Sequence, residues 1–190
     1  MPADLLDSLT PRRRAHSLGV AAQAELAQRC VPAELRPLVK RAALLHDVGY
    51  GHPATGFHPL DGAALLASLG EDPRLVQAVA THTGAHWEAH ARGIALAAFA
   101  PYDCDAEHVG LIRSVVTWAD LTTNPDGEPT VVETRLGEIL DRYPPDHVVH
   151  RSITSAWDWL THAGTHPTAT ANEDPAAAWA TSLVKTQAAG

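Results

Sequence analysis

The sequence predicts an all-α protein, a single globular helical bundle with a flexible C-terminal tail. Three observations carry this. Aromatic residues make up only 5% of the 190-residue chain, while a hydrophobic fraction of 45% draws heavily on alanine, a composition that suits helices better than a β-sandwich. Apolar residues recur at spacings of three and four through most of the chain, and no alternating strand pattern or internal repeat stands out. Serial start and stop signals, a capping side chain followed by proline and later a glycine, divide the chain into helix-sized lengths.

Thr10-Pro11 is an N-cap followed by proline at the first helical position, opening a helix to about Cys30 with His16, Val20 and Ala27 on one face. His16 therefore points inward, where it is either a satisfied core residue or a ligand. Arg12, Arg13 and Arg14 occupy the first turn, where the helix dipole disfavours positive charge, so they are a solvated face or an anion site near His16. Pro32-Ala33-Glu34 starts a second helix whose apolar positions Leu38, Ala42 and Leu45 lead into His46-Asp47, with Gly49 and Gly51 as its stop. Tyr50 and His52 follow in a loop. His58-Pro59 opens a third helix, with Leu60, Ala64 and Ala67 as its stripe and Gly70 as terminator.

Asp72-Pro73 repeats the start signal, and Leu75, Val79 and His82 share a face of the fourth helix before Thr83-Gly84 ends it. Residues 85–100 contain His86, Trp87, His90 and Arg92 without a single dominant period. After a loop at 101–105, Ile112, Val116 and Asp120 stand four apart, so Asp120 continues an apolar face where an unpaired carboxylate is strongly disfavoured. A loop over 122–130 leads to a helix at about 131–143, and Pro144-Pro145-Asp146 restarts a helix to about His162. Residues 164–175, rich in Thr, Ala and Pro, read as a mobile linker, and 176–187 as a weak helix or a disordered end. The resulting organisation is one helical domain at 1–163, with its site core at about 10–125, and a linker and weakly ordered tail at 164–190.

Charge and cysteine content narrow the function. A formal net charge of -8 argues against a nucleic-acid polymer or an anionic membrane as partner, since both demand a basic footprint. The acidic start and the lack of a long apolar run predict a cytoplasmic protein. Cys30 and Cys104, with no CxxC, imply ordinary thiols.

Collected together, the inward polar residues are His16, His46, Asp47, His58, His82 and Asp120, each near a helix end. One His-Asp step is unremarkable among 12 histidines, but six such residues on five helices form a donor set for divalent transition metals. Four His and two Asp can hold two ions if one carboxylate bridges, and Asp47 is the natural bridge. Paired ions roughly 3.5 to 4 Å apart generate hydroxide at neutral pH and clamp phosphoryl oxygens.

The words around these residues, Ala15-His16-Ser17-Leu18-Gly19-Val20, Leu44-Leu45-His46-Asp47-Val48-Gly49, His58-Pro59-Leu60-Asp61-Gly62-Ala63, His82-Thr83-Gly84 and Trp118-Ala119-Asp120, resemble the HD-domain superfamily of metal-dependent phosphohydrolases. They are most similar to the subgroup that includes the bacterial symmetrical dinucleoside tetraphosphate hydrolases, in which two further histidines complete a dinuclear, often iron, site. The resemblance, over about residues 10–125, implies His58 and His82 as those ligands, with His52 as the competitor to His58. It implies two divalent ions, iron first and manganese, cobalt, nickel or zinc as alternatives.

The chemistry so implied is hydrolysis of a phosphoester or phosphoanhydride of a small phosphorylated molecule, a nucleotide foremost, by a metal-bridging hydroxide. Asp47 is the central catalytic residue, and His86, His52 or water delivers the leaving-group proton. Dinucleotide hydrolases tend to carry a basic residue after the last Asp, where this chain has Leu121-Thr122-Thr123, a departure in the substrate region. Arg12, Arg13, Arg92 and Arg113 are the cations available instead; Arg92, close after His82, is preferred for substrate binding, with Arg12 beside it, against an exposed salt-bridging role. The rival readings are a mixed-valent di-iron oxygenase on the same scaffold and a non-catalytic nucleotide-sensing domain. Oligomeric state, with a homodimer as one option, is not encoded in any motif.

Overall fold

The computed structural model describes residues 5–188, with side chains as far as residue 182. It is an assembly of helices, as expected, and among the described residues the one β-feature is an isolated antiparallel bridge between Thr123 and Pro129. Helix α1 spans Pro11–Leu26, with Thr10 Oγ1 accepting from the Arg13 amide, and it tightens into a 3-10 turn at Ala27–Cys30. His16, Val20 and Ala27 are all buried, as their spacing predicts.

A 3-10 turn at Ala33–Leu35 precedes α2, Arg36–Leu45. This helix ends earlier than its glycines suggest. His46 is already the cap, and His46-Asp47 form the step into a 3-10 turn at Val48–Gly51. Gly49 has a different task from stopping a helix: a Cβ there would lie 2.1 Å from the His58 carbonyl oxygen and 2.6 Å from the Gly62 amide nitrogen, so it lets the next helix approach backbone to backbone.

That next helix, α3, spans His58–Ser68. Its buried face is Pro59, Leu60, Gly62, Ala63 and Leu66, while Ala64 and Ala67, expected on the inner stripe, face solvent. The alanine-rich segment has little amphipathic contrast, so Leu60 fits either stripe and the close contact at Gly49 and Gly62 decides between them. Asp61 is buried as well and accepts from the Thr55 amide at 2.8 Å, the Thr55 hydroxyl at 2.7 Å and the Gly56 amide at 3.0 Å, closing the loop before α3.

Helix α4, Pro73–Thr81, starts on Asp72, whose carboxylate accepts from the Arg74 amide. It ends at His82 as C-cap, after which Thr83 (φ 44°) and Gly84 (φ 72°) turn the chain through the left-handed region. Residues 85–100 resolve into the short α5, Ala85–Ala91, and 3-10 turns at Leu96–Ala98 and Ala100–Tyr102. Then follow α6 at Val109–Leu121, α7 at Val132–Arg142, α8 at Val148–Thr165 and α9 at Pro175–Ala188.

The segment between α8 and α9, predicted to be a mobile linker, is instead tied down. Thr170 is fully buried, its amide and hydroxyl meet Ser114 Oγ at 3.1 Å, and the Arg113 guanidinium donates to the carbonyls of Thr170 and Glu173. Trp159 Nε1 donates to the Glu173 carboxylate at 2.7 Å. These anchors come from α6 and α8, far away in sequence, so local composition does not reveal them. Residues 189–190, at the end of the predicted weakly ordered tail, lie outside the described residues, as do the side chains beyond 182.

Two apolar cores organise the bundle. The larger gathers Val20, Ala42, Leu45, Val79, Ile112 and Val116 from α1, α2, α4 and α6; the smaller gathers Trp87, Leu121, Leu136, Ile153 and Leu160 from α5 to α8. Helix α6 packs against both sides and joins them. Among the described residues no helix is long and apolar enough to cross a membrane, and Cys30 and Cys104 are free thiols.

Candidate metal centre

At the seam between the two cores the helix ends converge. His16 comes from α1, His46 and Asp47 from the step after α2, His58 from the first position of α3, His82 from the cap of α4 and Asp120 from the last turn of α6. His58 is half-buried and the other five are buried. Their ligand atoms form three overlapping groups, His16/His46/Asp47, His46/His82/Asp120 and Asp47/His58/His82, within each of which the atoms lie no more than 4.8 Å apart. The six residues singled out from sequence are thus brought together, and Asp47 belongs to two of the three groups.

Backbone carbonyls orient the imidazoles. The Nδ1 atoms of His16, His46 and His82 sit 2.9, 2.7 and 2.6 Å from the carbonyl oxygens of Asn124, Ala43 and Val79. A carbonyl can only accept, so each Nδ1 carries a proton and each Nε2 is the atom turned toward the cluster. The Asn124 carbonyl is placed by the loop after α6, which lies against α1: a Cβ on Gly19 would be 2.3 Å from the Gly127 carbonyl oxygen.

This arrangement leaves the cluster short of positive charge at defined points. His46 Nε2 is buried without a hydrogen-bond partner. His16 Nε2 faces Asp120 Oδ1 at 3.0 Å, so two lone pairs oppose each other unless a cation, a proton or a metal, lies between them. Further approaches are His46 Nε2 to Asp47 Oδ2 at 3.5 Å and His58 Nε2 to Asp47 Oδ1 at 3.4 Å. The donor set fits a divalent transition metal.

Protonation agrees with that fit. Burial pushes the Asp47 carboxyl up, but His46, Arg13, His58 and His16 outweigh it and hold the group well below the usual carboxylate range. Asp120 is also buried and also held low, by the hydrogen bond with His16 and the charges of His46 and Arg135. Burial lowers His46 to about 4 against the pull of Asp47, and it lowers His58 well below the ordinary imidazole value. Burial likewise lowers His16, but its hydrogen bond to Asp120 and the carboxylate charges raise it overall. Near neutrality the site therefore offers ionised carboxylates with neutral His46 and His58, the protonation states that metal binding requires.

A second ring of residues holds the first. Thr83 Oγ1 donates to Asp120 Oδ2 at 2.6 Å and the Thr83 amide donates to Thr117 Oγ1. Arg13 Nη1 lies 2.8 Å from Asp47 Oδ2 with its guanidinium over the Tyr50 ring, and Tyr50 stacks on His58 at 4.1 Å. A cleft of about 100 Å3 opens beside the cluster, bounded by Arg13, Tyr50, Arg135, Arg142, Tyr143 and Ile153 among others.

Other predicted site residues fall elsewhere. His86 is buried against Phe99 at 4.4 Å, near Arg113 and Asp174, and does not line the cleft. Arg92 is engaged by Glu88 at 2.8 Å and lies over Phe57, while exposed Arg12 pairs with Asp126 at 3.0 Å and lines a neighbouring cavity on the His16 side instead of the cleft. Arg113 is buried under the segment that precedes α9. His52 is exposed and outside the three groups. Arg135 and Arg142 are the functional candidates missed in the sequence, although Arg135 carried a signal: it shares the apolar face of Val132, Leu136 and Ile139.

Comparison with known proteins shows two local likenesses. Ribonuclease Y of Frankia casuarinae is 49% identical over 55 residues, covering 26% of this chain and 8% of that protein. Ribonuclease Y of Frankia alni is 47% identical over 55 residues with the same coverage. The matched part is therefore under a tenth of either relative's length. No solved structure matches the chain. The sequence profile of the HD domain, by contrast, matches residues 13–143, which reach from the arginine before His16 to the end of α7 and take in all six clustered residues. Matched over more than half its length, the chain belongs to the HD-domain family.

Proposed function

We propose that this protein is a metal-dependent phosphohydrolase that cleaves a phosphoester or phosphoanhydride bond in a small molecule, a nucleotide foremost. The observation that carries the reading is the convergence of three carbonyl-oriented imidazole Nε2 atoms with two ionised carboxylates, in three overlapping groups of which two contain Asp47. His16, His46, Asp47 and Asp120 would hold one divalent ion, and Asp47, His58 and His82 a second, iron foremost. Such ions supply an acidified water at neutral pH and neutralise charge that develops on phosphoryl oxygens.

The remaining work falls to the chain itself. The Asn124, Ala43 and Val79 carbonyls keep the imidazoles in the ligating tautomer, and Thr83 fixes the rotation of Asp120. Ile139, Val149 and Ile153 form an apolar wall that limits water around the reacting bond. His86 and His52 both lie outside the cleft, which leaves water, of the donors the sequence suggested, to supply the leaving-group proton. The local likeness to ribonuclease Y supports P–O cleavage, while the charge of -8 speaks against a polyanionic polymer as substrate.

The test is elemental analysis per chain, followed by a screen of phosphate esters and nucleotides with oxygen uptake recorded in parallel. Close to two ions with phosphate release is the expected result, and Asp47→Ala should lose both. No ion after reconstitution would refute the reading, and oxygen consumption without phosphate release would replace it by an oxygenase.

A further inference from the structure

Three guanidinium groups surround the cluster in a way the metal-centre reading does not use. Arg13 from α1 and Arg135 and Arg142 from α7 line the 100 Å3 cleft, and the same three, joined there by Arg12, line a second cavity of about 150 Å3 on the His16 side. They form the common wall between the two. Arg135 is only 7% exposed, its Nε has no hydrogen-bond partner, and its Nη2 lies 3.8 Å from Asp120 Oδ1. Glu138 accepts from both Arg135 and Arg142, whereas Glu88, which lines the cleft together with Asp47 and Asp120, is engaged by Arg92.

The carboxylates that balance Arg13 and Arg135 are Asp47 and Asp120, the two that ions would claim. A carboxylate that shares its lone pairs with a dication no longer neutralises a guanidinium, and the arginines then stand beside a positive centre. Only Glu138 remains for the pair on α7, and among the described residues no carboxylate besides Asp47 pairs with Arg13. Like charges so close in a partly desolvated cleft demand an anion, and planar guanidinium forks match the oxygens of a phosphoryl group.

Size sets the kind of phosphoryl group. Pockets that enclose a whole small molecule run from about 300 to 1,000 Å3, so a cleft of about 100 Å3 encloses one such group and leaves the rest of the molecule outside. An internal phosphodiester must lead two ester arms out of that space, a terminal phosphoryl group only one. We propose that Arg13, Arg135 and Arg142 form an anion-binding wall that selects a terminal phosphoryl group, as in a phosphomonoester or the end of a pyrophosphate, over an internal phosphodiester. This inference rests on the phosphohydrolase reading and narrows its substrate class.

The experiment titrates inorganic phosphate into metal-loaded protein by calorimetry, measures metal per chain on the same samples, and compares hydrolysis of p-nitrophenyl phosphate with that of bis-p-nitrophenyl phosphate. Arg135→Met and Arg142→Met should each weaken phosphate binding about 10- to 100-fold, the range expected for a lost charged hydrogen bond, with metal content unchanged. Wild type should prefer the monoester. Phosphate binding equal to wild type in both variants, in protein that holds metal and hydrolyses the monoester, overturns the wall while leaving the hydrolase reading intact. Loss of metal in Arg135→Met makes that residue a positioning group for Asp120 and removes it from the wall; exposed Arg142 then decides the matter. Preference for the diester overturns the selectivity, and protein that takes up neither metal nor phosphate refutes both readings.

Discussion

Replacing Gly49 with alanine adds one methyl group where α3 begins, and the structure says how much room it lacks. The new Cβ would stand 2.1 Å from the His58 carbonyl oxygen, 2.9 Å from its carbon and 2.6 Å from the Gly62 amide nitrogen, whereas ordinary contact starts at 3.4 Å. All three are backbone atoms of α3, so no rotamer change relieves them. The first turn of that helix must retreat by the difference between 3.4 and 2.1 Å, about 1.3 Å. Overpacking of this kind costs about 1–3 kcal/mol. For a chain of this length that corresponds to a Tm loss of roughly 2–12 °C.

The displaced turn also carries His58, and metal ligation tolerates only about 0.2 Å. Gly49→Ala should therefore lose the ion that His58 helps to hold while His16, His46 and Asp120 keep theirs. The assays are calorimetric unfolding and elemental analysis of the same sample. Gly137→Ala is the control, since a Cβ there meets nothing within 4 Å in a helix interior, and it should gain roughly 0.5–1 kcal/mol. Wild-type Tm and full metal content in Gly49→Ala would refute the close-approach account.

Three further outcomes are expected. His58→Ala should remove one ion and His52→Ala none, by elemental analysis; the reverse would move the second ion to the loop before α3. Asp61→Ala leaves the Thr55 and Gly56 amides without their acceptor and should lower the denaturant midpoint by the equivalent of about 1–3 kcal/mol; an unmoved midpoint would show that the loop is held by other contacts. His86 is lowered by burial from 6.5 to about 4, so between these values the unfolded chain binds a proton that the folded chain refuses. Its contribution is complete above pH 6.5 and falls as pH drops toward 4, a loss of about 2–3 kcal/mol by pH 4.5. Urea melts at pH 7 and 4.5 should show a smaller acid loss in His86→Leu than in wild type, and equal losses would exclude His86 as the source.

The legible parts of this fold share a physical cause. His16, Asp120 and His82 announce themselves because each continues an apolar helical face on which an unpaired polar group is costly, and that conflict is local enough to see in one stretch of sequence. The failures come where two stretches must meet. Whether Ala63 and Leu66 or Ala64 and Ala67 face inward depends on Gly49 touching α3, and whether 164–175 is loose depends on Arg113 and Ser114 waiting for it. Gly49 itself looks like a helix stop until the carbonyl of His58 is placed beside it.

The same conflict marks four residues whose fates differ. His82, Asp120, His86 and Arg135 are all polar groups that the fold buries. His82 and Asp120 sit at the ends of α4 and α6, where the helix stops and the side chain can project past the apolar layer into the seam. His86 lies inside α5, beyond the left-handed turn at Thr83 and Gly84, and that turn swings it onto Phe99 and away from His82 despite a spacing of four residues. Spacing of four means proximity only within one unbroken helix. Arg135 meets the site from the opposite direction, on a helix outside the stretch that carries the ligand motif, because α6 and α8 bring the smaller core over the cluster. A motif gathers the residues that hold the ions; the residues that face them across the cleft come from whichever helix closes the bundle, and only the packing names it.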